Sequence, residues 1–116
     1  MVKSDVANGE RADRFNMGKP EMRYLCTFPN AWKGVAAVCS YGAGKYAPYN
    51  YMKGQPVSEL VDCALRHLVA YMNGEDMDPE SGCHHLDHFA WNALQLSEQA
   101  RKEEWDDRPH LHRESV

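Results

Sequence analysis

The chain has 116 residues, 43% of them hydrophobic, and a formal net charge of −4 from 13 Lys and Arg against 17 Asp and Glu. That length sets one small domain with a modest core, and the acid excess excludes a general nucleic-acid binder, which needs a concentrated basic face for phosphate. No apolar run nears the roughly 20 residues that span a bilayer, so neither nucleic acid nor membrane is an expected partner.

Residues 1–15 are polar, lack a periodic apolar face and are expected to form a mobile arm. A single helical domain is expected over 16–104, with 105–116 as a tail. Tyr24, Leu25 and Phe28 suit an extended segment before Pro29 opens a helix. Ala31, Trp32, Val35, Val38 and Cys39 then recur at helical spacing, and Gly42 predicts its end. Glycines, prolines and five aromatic or amide residues make 42–56 a long ordered loop. Ser58 offers an N-cap for a second helix whose apolar face is Leu60, Val61, Ala64, Leu65, Leu68 and Met72, ended by Asn73-Gly74. A third helix is predicted from about Cys83 to beyond Ala100. No strand is predicted, so the fold class is all-α, with three to five helices. Cys26, Cys39, Cys63 and Cys83 lie far apart without a Cys-x-x-Cys pair or a secretory leader, which suits reduced thiols and a cytoplasmic setting.

Chemistry concentrates between Arg66 and Asn92. His85, His88 and Asn92 fall at i, i+3 and i+7 and share one face of a helix, with Leu86, Phe89, Ala90, Ala93 and Leu94 on the other. Cys83, His84, His85 and His88 carry zinc-ligand chemistry, but their spacing lacks the second ligand pair of a structural zinc site and suits hydrogen bonding to nucleotide or to metal-bound water better. Glu59 and Asp62 stand at i, i+3, a spacing at which two carboxylates can share a divalent ion. Asp62 and Arg66 are one turn apart and can pair on the surface. The hinge from Glu75 to Gly82 puts four carboxylates in six residues, among them Asp78 and Glu80, yet lacks the EF-hand order. Gly42-Ala43-Gly44-Lys45 is not a P-loop, because Cys39 and Tyr46 replace its first glycine and its Ser or Thr, although Lys45 can still reach phosphate as a point charge.

Read in order, Arg14-Phe15-Asn16-x-Gly18-Lys19-Pro20, Tyr41-Gly42-Ala43-x-Lys45-Tyr46-x-x-x-Asn50, Arg66-His67-Leu68, Gly74-Glu75-Asp76-x-Asp78-Pro79-Glu80-Ser81-Gly82 and His85-Leu86-x-His88-x-x-x-Asn92 resemble one family. It is the phage dATP/dGTP diphosphohydrolase-like family, of MazZ type, grouped with MazG-like all-α nucleotide pyrophosphatases. The resemblance covers about Arg14 to Leu96. It implies a small all-helical hydrolase of dATP or dGTP, dependent on Mg²⁺ or Mn²⁺, working as a homo-oligomer in the host cytoplasm during phage infection. The better-known all-helical pyrophosphatases carry a Glu-Glu-x-x-Glu helix before a Glu-x-x-Asp helix. Here only Glu59-x-x-Asp62 echoes the second, and Glu103-Glu104 lacks a third carboxylate.

On this reading Glu59, Asp62, Asp78 and Glu80 are the expected metal ligands or water-orienting groups. Arg66, His67, Glu80, His85 and His88 are the expected catalytic set. Lys19 and Lys45 would meet phosphate, Tyr46 or Tyr49 would stack on the base, and Asn50 or Asn92 would read its edge. A second function class, nucleotide binding or protein interaction without turnover, fits the same residues. So does a His/Asp metallohydrolase acting on another phosphoester.

Overall fold

The computed structural model describes residues 10–109. Among these residues three α-helices carry the fold: α1 over Pro29–Lys45, α2 over Val57–Met72 and α3 over His85–Gln99. Short 3-10 turns cover Met22–Thr27, Asn50–Lys53 and Glu103–Trp105. Among the described residues the extended backbone amounts to one isolated antiparallel bridge, Met77 to His84. The protein is all-α, as expected.

Several boundaries moved, each for a local reason. The segment expected to be extended before Pro29 winds into the first 3-10 turn, and the Trp32 indole donates to the Leu25 carbonyl at 2.9 Å. Helix α1 does not stop at Gly42. Glycine ends a helix by taking a left-handed φ, and neither Gly42 nor Gly44 does so. The Tyr46 amide instead donates to the Gly42 carbonyl at 2.9 Å, which carries the last turn to Lys45. The loop is correspondingly shorter and turns at Tyr49, whose φ is 61°. Pro56, not Ser58, caps α2, and the Ser58 hydroxyl and amide both donate to Asp107. At the far end Gly74, with φ of 98°, reverses the chain as expected, and the Glu75 amide returns to the Ala70 carbonyl at 3.0 Å. Helix α3 begins two residues later than expected because His84 is its cap, accepting from the Leu86 amide at 3.0 Å.

The α2–α3 connection is ordered by its own hydrogen bonds. Asp78 N donates to the Cys83 carbonyl, Gly82 N to Asp78 and His85 N to Asp76, each at 2.8 Å. Helix α3 packs chiefly on α2 and also on α1. Gly34 admits the second contact, since a Cβ there would collide with the Asp87 carboxylate.

The core is small and partly polar. Among the described residues the buried apolar side chains are Val35, Val38, Leu60 and Ala64, joined by His85, His88 and Asn92. The polar stripe of α3 therefore faces inward. Leu86, Phe89 and Ala90 are only half-buried, and Ala93 and Leu94 are exposed. On α2, Leu65, Val69 and Met72 at i, i+4 and i+7 form an exposed apolar stripe, so Leu65 is not a core residue. Trp105 folds back against Gly54, and with the Ser58–Asp107 bonds it anchors residues that were expected in a tail. Residues 10–15 are exposed without regular structure, while 1–9 and 110–116, the remainder of the expected arm and tail, lie outside the described residues. No helix among the described residues is long and apolar enough to cross a membrane.

Candidate active site

Three imidazoles meet where α2 faces α3. His85 Nε2 lies 2.7 Å from Glu75 Oε1, and its Nδ1 lies 2.8 Å from His67 Nδ1. A carboxylate accepts, so neutral His85 carries its proton on Nε2 and offers Nδ1 as an acceptor. In the tautomer where His85 Nδ1 accepts, His67 donates from Nδ1, which leaves His67 Nε2 with a lone pair. No buried side-chain nitrogen or oxygen among the described residues lacks a partner, and His67 Nε2 has none, so that atom is open to solvent. The arrangement is a carboxylate–imidazole–imidazole relay that fixes one basic nitrogen.

A second chain of contacts runs beside it. The His88 ring stacks on His67 with centroids 4.2 Å apart and planes 4° from parallel. Ser81 Oγ lies 2.7 Å from His88 Nε2 and donates to Asp78 Oδ2 at 2.8 Å, so His88 Nε2–H donates to Ser81. The Glu80 and Ser81 amides also donate to Asp78. Burial works against the Asp78 carboxylate, but the Ser81 hydroxyl and those two amides outweigh it and hold the group below the usual carboxylate range. Asn92 donates within α3 to the His88 carbonyl at 2.8 Å and across to α2 at Cys63 Sγ, 3.4 Å away.

Toward the rim, Glu80 accepts from the Tyr41 hydroxyl at 2.6 Å and the Lys45 ammonium at 2.7 Å. The Lys45 bond lowers the Glu80 pKa, and the Glu80 bond raises those of Lys45 and Tyr41. All three groups are open to water, so the contact sets geometry more than stability. The Tyr41 ring meets His88 edge-on at 6.4 Å, which joins the rim to the imidazoles.

Burial disfavours the cations of His67 and His88 and pulls both below the ordinary imidazole value. At His67 the neighbouring His88 and His85 reinforce the shift, whereas at His88 the Asp78 charge opposes it. The unfolded chain, with imidazoles near about 6.5, then binds more protons than the native one as pH falls below that value. Stability from these two groups is complete above about 6.5 and declines on acidification. Thermal melts are expected to show a falling Tm between pH 7 and 5, with a shallower fall in His67→Gln. Loss of Asp78 stabilisation follows only at lower pH, as its carboxylate protonates.

The structure brings His67, Asp78, Glu80, His85, His88, Asn92 and Lys45 into this one network. Glu75, Ser81 and Tyr41 were not among the expected site residues, although all three fall within the quoted blocks. Arg66 is exposed beside His67 and makes no hydrogen bond or ion pair among the described residues, so it does not pair with Asp62. Glu59 and Asp62 are likewise exposed and unengaged. Among the described residues no group of three or more His, Cys, Asp or Glu is placed to hold a metal ion. Asp78 is already committed to Ser81 and Glu80 to Lys45, so the four expected carboxylates do not converge on one ion within a chain. Lys19 sits in an exposed turn closed by its amide on the Asn16 carbonyl. Tyr46, Tyr49 and Asn50 line a cavity of about 110 Å³ beside Tyr51 and Trp91.

Residues 9–108 match a protein family described as dATP/dGTP diphosphohydrolase, N-terminal. The chain belongs to that family. A dATP/dGTP diphosphohydrolase of Salmonella phage PMBT28 is 31% identical over 77 residues, which cover 66% of this chain and 26% of the phage protein. The chain thus spans about a quarter of the length of that relative. No solved structure matches. Within this family member, the Glu75–His85–His67 relay, the Asp78–Ser81–His88 chain and the Lys45–Glu80 pair form a continuous polar wall.

Proposed function

We propose that the chain hydrolyses the purine deoxynucleoside triphosphates dATP and dGTP at a phosphoanhydride bond, remodelling the nucleotide pool in the host cytoplasm during phage infection. The observation that carries this reading is the solvent-open Nε2 of His67 at the end of a relay anchored on Glu75. His67 Nε2 takes a proton from the attacking water. The resulting cation keeps its Nδ1–H on His85, whose Nε2–H faces the Glu75 carboxylate, so positive charge develops beside an oriented acceptor chain. The lowered pKa of His67 keeps it a free base near neutrality. Arg66 and Lys45 meet the phosphates, and Glu80 with Tyr41 orients Lys45.

Mg²⁺ or Mn²⁺ belongs to this proposal as the counter-ion that the triphosphate brings with it. The four expected carboxylates do not fit a resident ion within one chain, and no step is assigned to it. A homo-oligomer belongs to it as well, because among the described residues four buried apolar side chains make a small core and the Leu65, Val69, Met72 stripe is exposed. Sedimentation at micromolar concentration is expected to show an oligomer, and a strict monomer would remove that part of the proposal.

Nucleotide binding without turnover is the second reading. It is favoured by the scatter of Glu59, Asp62, Asp78 and Glu80, which do not converge on one ion within a chain. Incubating the protein with each deoxynucleoside triphosphate and Mg²⁺ or Mn²⁺, then separating products, decides between them. Monophosphate and pyrophosphate from dATP or dGTP support hydrolysis, while binding with intact triphosphate supports the second reading.

A further inference from the structure

Beyond the imidazoles, three aromatic rings wall a larger cavity of about 590 Å³ on the C-terminal half of α3. That volume lies in the range of pockets that enclose drug-sized ligands. Tyr51 and Trp91 brace each other edge to face, with centroids 4.8 Å apart and planes at 88°. Trp105 forms part of the same wall, seated against Gly54 where no Cβ would fit. At the rim stand Lys53, Gln95 and Glu98, whose side chains make no hydrogen bond or ion pair among the described residues. Lys53 and Lys102 are offset in charge by Glu98 and Glu104, so this cavity suits a neutral heteroaromatic ring better than a phosphate. Its polar groups include a carboxylate, an acceptor for ring and exocyclic N–H groups, and an amide that can both donate and accept.

We infer that this cavity receives the purine base of the nucleotide, with the ring against Trp91 and Trp105 and its edge on Gln95 and Glu98. The inference rests on the nucleotide reading of the imidazole site. Trp91 and Glu98 lie three and ten residues beyond His88, which is about 5 and about 15 Å along the helix axis. That span is comparable with the distance from the base to the outer phosphates of a nucleoside triphosphate. Phosphates that extend from a base held here toward the start of α3 run toward His88, on which the His67 ring stacks. The smaller cavity beside Tyr46, Tyr49 and Asn50, about 110 Å³, falls below the roughly 300 to 1,000 Å³ of ligand pockets.

Calorimetric titration of the full chain with deoxyadenosine, deoxyguanosine, deoxycytidine and inorganic tripolyphosphate tests this placement. The purine nucleosides are expected to bind and deoxycytidine to bind more weakly. Trp105→Ala is expected to weaken purine nucleoside binding by about tenfold or more, as loss of one stacking ring does, and to leave tripolyphosphate affinity unchanged. Leu94→Asp, at an exposed position on the cavity wall, should weaken purine binding similarly and guards against unfolding of the Trp105 variant. If both folded variants bind purine nucleosides like the wild type while dATP or dGTP is still hydrolysed, the base lies elsewhere and only this inference falls. If purine nucleosides bind and both variants lose them, yet no triphosphate is hydrolysed, the cavity assignment stands and the hydrolase reading falls.

Discussion

His67→Gln is expected to lower dATP or dGTP turnover by about 10²- to 10⁴-fold, the usual contribution of a positioned general base. Glutamine has no basic nitrogen, and His67→Asn, whose Nδ2–H takes the place of the imidazole Nδ1–H, is the companion variant that keeps a donor to His85 Nδ1 while losing the basic Nε2. His67→Gln should keep the helical circular dichroism of the wild type. Its residual activity should also lose the acid limb of the pH–rate profile, because that limb reports protonation of His67, whose pKa burial has lowered. Full activity in His67→Gln would remove the base assignment. Lost activity with an unchanged pH profile would make His67 a positioning residue.

His85→Ala should cost about 3 kcal/mol of stability, combining a buried cavity with the loss of two hydrogen bonds. The ring is 4% exposed and is held at both nitrogens, by Glu75 and His67, so no water-filled surface takes its place without rearrangement. For a domain of this size that loss corresponds to a fall in Tm of about 15 °C. The Glu75→Gln variant separates packing from charge, because an amide oxygen can still accept from His85 Nε2–H. It should melt close to the wild type yet turn over more slowly, since it no longer offers a negative charge to the imidazole pair. A His85→Ala variant that melts like the wild type would show that the buried relay is not a structural joint.

Much of the fold follows from local pattern. The 3.6-residue recurrence of Leu60, Ala64 and Leu68 made α2 legible, and Asn73-Gly74 marked its end, because a left-handed turn there needs glycine. The spacing of His85, His88 and Asn92 likewise placed them on one face. Helix ends set by tertiary partners were not legible. Gly42 and Gly44 stay helical while Tyr41 and Lys45 of the same last turns hold Glu80, thirty-five or more residues away. Ser58 serves Asp107 rather than its own helix end.

The site divides along the same line. The sequence by itself determined that imidazoles, carboxylates and Lys45 cluster in short ordered blocks, because residue type and helical spacing suffice for that. It also carried the family resemblance, which rests on whole blocks rather than single residues. Only the tertiary structure decided that the polar face of α3 turns inward, that Glu75 and Ser81 are the partners of His85 and His88, and that Glu59 and Asp62 stay exposed and unengaged. The physical reason is that an imidazole can be buried only where hydrogen-bonding partners meet it. Those partners come from α2 and from the hinge, across separations that no periodicity encodes.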